Sequence, residues 1–118
     1  MTRNKDKFIL EKIIEYCDQV AKTIERFGDS YALYCDDFVY QNACAMCILQ
    51  IGELVGKLSV ELIETNADIP WRGIKGTRNI FAHAYGDVDL EIIWNTMHEG
   101  IPMLKGRCTQ ILGGITDF

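Results

Sequence analysis

Apolar residues recur along this chain at helical spacing. Leu10, Ile13, Cys17, Val20, Ile24 and Phe27 follow one another in steps of three and four, which places them on one helix face. The spacing predicts a first helix from about Asn4 to Phe27, stopped by Gly28. Residues 28–36 read as a connection, with a short helical turn at Ser30 to Leu33. Asp36 or Asp37 then caps a second long helix. Its stripe is Cys44, Cys47, Ile51, Leu54, Leu58 and Leu62. Met46, Ile48 and Leu49 add apolar groups on other faces, as expected of a helix at the centre of a bundle or against another subunit.

The segment ETNADIP interrupts the pattern, and Pro70 fits the first turn of a third helix. That helix carries Trp71, Ile74, Arg78 and Phe81. Gly73 and Gly76 each cost it about 1 kcal/mol relative to alanine. Either packing holds a marginal helix, or another backbone or a ligand approaches closely there. Gly86 ends the helix, and Asp87 or Asp89 starts a fourth, with Glu91 favourable in its first turn. The fourth stripe is Leu90, Ile93, Met97, Ile101, Leu104, Cys108 and Ile111. Pro102 falls inside it and predicts a kink, while the tail GGITDF is expected to fray. No strand pattern or internal repeat is visible. The expected fold is all-α: an up-and-down four-helix bundle with one extra short helix and a kinked last helix, formed by residues 1–118 as a single domain.

Charge changes the picture in one place. The net charge of −5 argues against a general nucleic-acid coat protein, which would be basic overall. Yet no Asp or Glu occurs from Ile69 to Tyr85, and Arg72, Lys75 and Arg78 lie within that stretch. It forms a local positive patch of the kind phosphate binding requires. The same stretch runs into RNIFAHAYGD, which holds Arg78, Asn79, His83 and Tyr85. At about 100° per residue, Asn79 and His83 share one helix face, so the amide can fix the imidazole's tautomer. Arg78 and His83 are about 140° apart on a straight helix; arginine's length, or a helix ending near His83, lets both reach one small anion. Histidine moves protons near neutrality, and arginine offers a permanent planar fork to phosphate oxygens. Together they suit cleavage of a phosphodiester by its own 2′-hydroxyl, a scheme that requires no metal or other cofactor. Supplying both an acid and a base from this motif calls for two chains meeting across a dyad.

Other chemistries fit less well. The five cysteines form no even disulfide framework. Cys44 and Cys47 make a CxxC that invites a zinc or redox reading, but no second pair follows, and four of the five cysteines fall on core positions. Buried reduced thiols, with no signal peptide and no apolar span of about 20 residues, imply a cytoplasmic protein without a membrane segment. Di-iron bundles need a Glu three positions before a His, and neither His83 nor His98 has one. His98 reads as a surface or packing residue, and Trp71, Phe81 and Trp94 as core residues more than base-stacking platforms.

The run PWRGIKGTRNIFAHAYGDVDLEIIW, residues 70–94, resembles the signature of the HepT-like toxins of the HEPN superfamily. Arg78, Asn79, His83 and Tyr85 match its Arg, polar residue, His and Tyr, as R-x4-H-x-Y. IGELVGKLS, residues 51–59, is similar to the family's second-helix segment, with Leu54 where that segment has Ala. The resemblance implies a homodimeric, metal-independent endoribonuclease in which Arg78 and His83 are catalytic and Asn79 and Glu53 orient the site. It further implies pairing with a minimal nucleotidyltransferase antitoxin that transfers AMP to Tyr85. The substrate would be RNA, with Arg72 and Lys75 holding phosphate, and no DNA is expected. The contrasting expectation is a non-catalytic HEPN module that binds a nucleotide or partner as the regulatory subunit of a nucleotidyltransferase. The acidic net charge favours it mildly.

Overall fold

The computed structural model describes residues 2–83 and 90–116, and side chains within residues 5–77 and 90–115. Helices joined by short turns make up the described residues, with no strand among them. Helix α1, Thr2–Phe27, buries Leu10, Ile13, Cys17 and Val20. It ends at Gly28, whose φ of 104° lies in the left-handed region. A side chain there would also meet Leu33.

Helix α2, Tyr31–Asp36, is the extra short helix, capped by Ser30. Helix α3, Phe38–Val55, starts at Asp37, whose carboxylate accepts the backbone N–H groups of Val39 and Tyr40 at 2.9 and 3.3 Å. Of the two candidate caps, Asp37 takes the role. By length and composition alone α3 could cross a membrane, with a mean hydropathy of 1.3. Its burial is against protein, however: α1 packs on one side and α5 on another. Ile48 is buried and Leu49 half-buried, while Phe38, Val39 and Met46 remain exposed.

The second stripe does not form one continuous helix. α3 stops at Val55, and a turn through Gly56 and Lys57 leads to α4, Val60–Thr65. Asp6 of α1 explains the break. Its carboxylate accepts the Ser59 backbone N–H at 2.9 Å and the Ser59 hydroxyl at 2.6 Å. Ser59 in turn caps α4 through the Leu62 N–H. Leu58 and Leu62 are still buried, so the hydrophobic pattern survives a break that it does not reveal.

Helix α5 is Trp71–His83. Pro70 precedes its first residue, and its carbonyl accepts the Ile74 N–H at 3.1 Å. Gly86, Asp87 and Asp89, expected to end α5 and start the next helix, lie outside the described residues. Helix α6, Leu90–Asn95, passes through a π-helical turn, Thr96–Gly100, into α7, Ile101–Thr116. In that turn the Ile101 N–H donates to the Thr96 carbonyl five residues back. The wider winding stands directly before Pro102, where a kink was expected, and accommodates a residue that has no N–H to donate. The expectation that GGITDF frays is corrected over its described part: Gly113 and Gly114 are inside α7. Cys108, Leu104 and Ile101 anchor α7 to the shared core against α1.

Candidate functional site

Helix α5 positions the residues singled out in the sequence. Trp71 is buried, and its indole N–H donates to the Asn66 carbonyl at 3.0 Å. Buried Ile69 lies just ahead of it, so the start of the helix is pinned to the α4–α5 connection. Ile74 and Thr77 turn inward over an apolar cavity of about 190 Å³, whose other walls include Ile48, Ile51, Ile101 and Leu104. These walls offer no ligand for phosphate.

Arg72 and Lys75 lie on the solvent side of α5, and both are exposed. Among the described residues neither pairs with a carboxylate. Gly73 and Gly76 leave open space: a Cβ on either would meet nothing within 4 Å. No other backbone therefore approaches them among the described residues. Glu53 is half-buried on α3, the helix against which α5 packs. The backbone of α5 continues through positions 78, 79 and 83, but the side chains of Arg78, Asn79, Phe81 and His83, and all of Tyr85, lie outside the described residues.

Two features near this helix were not singled out from the sequence. Lys57 is exposed in the α3–α4 turn, and Gly56 beside it would, with a side chain, meet Lys75 Cε at 3.3 Å. An aromatic cluster supports α6, the helix that follows the motif. Buried Tyr34 donates its hydroxyl to the Leu90 carbonyl at 3.2 Å and packs on Trp94 with ring centres 5.1 Å apart. Desolvation on burial raises the Tyr34 phenol far above its ordinary range, so it remains a donor. The cluster gathers residues from positions 31 to 98, and no local motif announces it.

His98, expected to be a surface or packing residue, stacks on Trp94 with ring centres 4.2 Å apart. Its two ring nitrogens face the Trp94 carbonyl at 2.9 Å and Asp29 at 2.7 Å. Four cysteines are buried and Cys35 is half-buried. No group of residues suited to holding a metal ion occurs among the described residues.

The model of the family described as "Ribonuclease HepT-like" matches residues 10–111, nearly the whole chain. The chain belongs to the ribonuclease HepT-like family. The matched span includes Arg78, Asn79, His83 and Tyr85. One relative, provisionally named an RNase, comes from Caldanaerobacter subterraneus subsp. tengcongensis; it is 32% identical over 103 residues, covering 87% of this chain and 90% of its own. A Thermococcus cleftensis protein with the name "Probable ribonuclease HepT" is 29% identical over 102 residues, covering 82% of this chain and 93% of its own. A third relative, from Methanocaldococcus jannaschii and also provisionally named an RNase, is 27% identical and spans 98% of the HepT-like chain and 93% of its own. No solved structure matches.

Proposed function

We propose that the chain is a metal-independent endoribonuclease, the toxin of a HepT-like toxin–antitoxin pair. The observation that carries this reading is the family match across residues 10–111, which includes Arg78 and His83 on the helix that also bears Arg72 and Lys75. His83 takes the proton from a ribose 2′-hydroxyl, whose oxygen attacks the adjacent phosphorus. Arg78 stabilises the charge that develops on the phosphoryl oxygens. The 5′-oxygen leaves with a proton donated by the His83 of a second protomer. The products are a 2′,3′-cyclic phosphate and a 5′-hydroxyl. Asn79 and Glu53 orient the site.

A homodimer supplies the second histidine, and the exposed apolar Phe38, Val39 and Met46 support the presence of a protein partner. A cognate minimal nucleotidyltransferase neutralises the toxin by transferring AMP to Tyr85. The adenylate adds bulk and negative charge beside the residues meant for RNA phosphate. An RNA substrate places the protein in the cytoplasm.

The test is incubation of purified protein with RNA in EDTA, beside His83→Ala. Cleavage by the unmodified protein alone, leaving cyclic phosphate ends, is the expected result. Equal inactivity of the two proteins would overturn it in favour of a non-catalytic binding module, a reading that the net charge of −5 favours.

A further inference from the structure

We propose that Lys57, Lys75 and Arg72 form a phosphate track outside the catalytic pair, which holds the backbone of the RNA strand leading to Arg78 and His83. The identity of the polyanion rests on the ribonuclease reading above; the track itself rests on the following geometry.

The three cations are contiguous. Arg72 and Lys75 are three positions apart on α5, so they are surface neighbours, with Cβ atoms about 5–6 Å apart. Lys75 reaches from α5 to the α3–α4 turn, where its Cε lies over Gly56. Lys57 is the next residue of that turn. All three are exposed, and none pairs with a carboxylate among the described residues. Elsewhere on the surface Lys12, Lys105 and Arg107 pair with Glu15, Asp18 and Asp68, while Lys22 and Arg26 of α1 are unpaired too among the described residues, so it is contiguity that distinguishes the three.

The Arg107–Asp68 pair matters directly. Asp68 is the last acidic residue before α5 and the one best placed in sequence to quench Arg72. Arg107 of α7 holds both its oxygens, one at 3.2 Å, and this leaves Arg72 unclaimed by it.

Gly56 supplies independent support. Its φ of −65° and ψ of −13° are ordinary right-handed helical values that any residue can adopt, so the backbone does not require glycine there. A Cβ at position 56 would crowd Lys75, lying 3.3 Å from its Cε, and would stand 3.4 Å from the Glu53 carbonyl. Gly73 borders the apolar cavity, but Gly76, four positions after Arg72, leaves room where a nucleic-acid backbone can approach. Nor does Arg72 favour the fold: positive charge in a first helical turn opposes the macrodipole. A bound polyanion reverses that cost.

The experiment uses the full chain and a single-stranded RNA oligonucleotide with every 2′-hydroxyl methylated, so that it binds without being cleaved. Binding is followed by fluorescence anisotropy across a salt series. Each of Lys57→Ala, Lys75→Ala and Arg72→Ala is expected to reduce the slope of log affinity against log salt by about 0.7, and the triple variant by about 2. Lys22→Ala with Arg26→Ala, removing two exposed charges from α1, is expected to leave the slope intact. An unchanged slope in the triple variant, or an equal loss in the α1 double variant, would overturn the track. Cleavage of an unmethylated dinucleotide by wild-type protein is read separately: failure there counts against the nuclease reading, while the anisotropy series still decides the track.

Discussion

Asp6 and Ser59 are joined by two hydrogen bonds that use both oxygens of one buried carboxylate. The contact fixes the start of the chain to the turn at which the second hydrophobic stripe breaks into α3 and α4. Asp6→Ala removes both acceptors at once and leaves the Ser59 N–H without its partner. The expected loss is about 1–3 kcal/mol of folding stability, seen as a lower urea midpoint with an unchanged slope. A midpoint equal to wild type would show that the turn is held by Ser59 capping alone.

His98 predicts a pH dependence. Burial by itself lowers the imidazole pKa, but the hydrogen bonds to the Trp94 carbonyl and to Asp29, with the charge of Asp29, outweigh it and raise the pKa above its ordinary value of 6.5. Both ring nitrogens face acceptors, so the doubly protonated ring satisfies both. A group whose pKa rises on folding binds its proton more tightly in the native state. Its stabilisation is therefore complete below about pH 6.5 and lost as pH rises through the higher native value. Wild type is expected to lose stability relative to His98→Gln as pH rises above about 6.5. Parallel profiles for the two proteins would contradict the clamp.

The thiols give a chemical readout of the core. Burial pushes Cys17, Cys44 and Cys108 to about 12, and it raises Cys47 as well. Thiolate is the reactive form, so these four resist thiol reagents while the protein is folded. Cys35, half-buried at the surface of α2, is expected to react first and alone. The other four react only in denaturant. Two or more rapidly reacting thiols in the native protein would show that the CxxC at positions 44 and 47 is open.

Gly73→Ala tests what the glycine costs. The position is exposed in the first turn of α5, and an added methyl group meets nothing within 4 Å. Stability is expected to rise by about 1 kcal/mol, measured as a higher urea midpoint. A destabilised variant would mean that another chain or segment already occupies the space.

The helices were legible where burial is one-sided. In α1 the stripe from Leu10 to Val20 is the buried face, and Gly28 ends the helix because its backbone turns left-handed there. The α3–α4 break was not legible: its cause is Asp6, 53 residues away, and a helix-spaced stripe runs through the turn unbroken. The continuation of α7 through Gly113 and Gly114 was missed for a related reason, since local propensity yields to packing of Ile111 and Ile115 against the core. At the candidate site, sequence found the cations of α5 because the run without carboxylates is local. It passed over Lys57 because that lysine reaches the site only through the fold.

The π-helical turn at Thr96–Gly100 has a consequence for how the last helix tolerates insertion and deletion. Its stripe takes two successive steps of four, from Ile93 to Met97 to Ile101, and both ends are buried. Regular α-helical winding would let such a stripe drift around the axis; the wider turn absorbs the surplus residue. Removing one residue between 96 and 100 would restore even winding and keep Leu104 and Cys108 facing α1, because the residue lost is the one the wider turn absorbs. Chain length in this short stretch can thus shorten by one residue without turning the buried face of α7 outward.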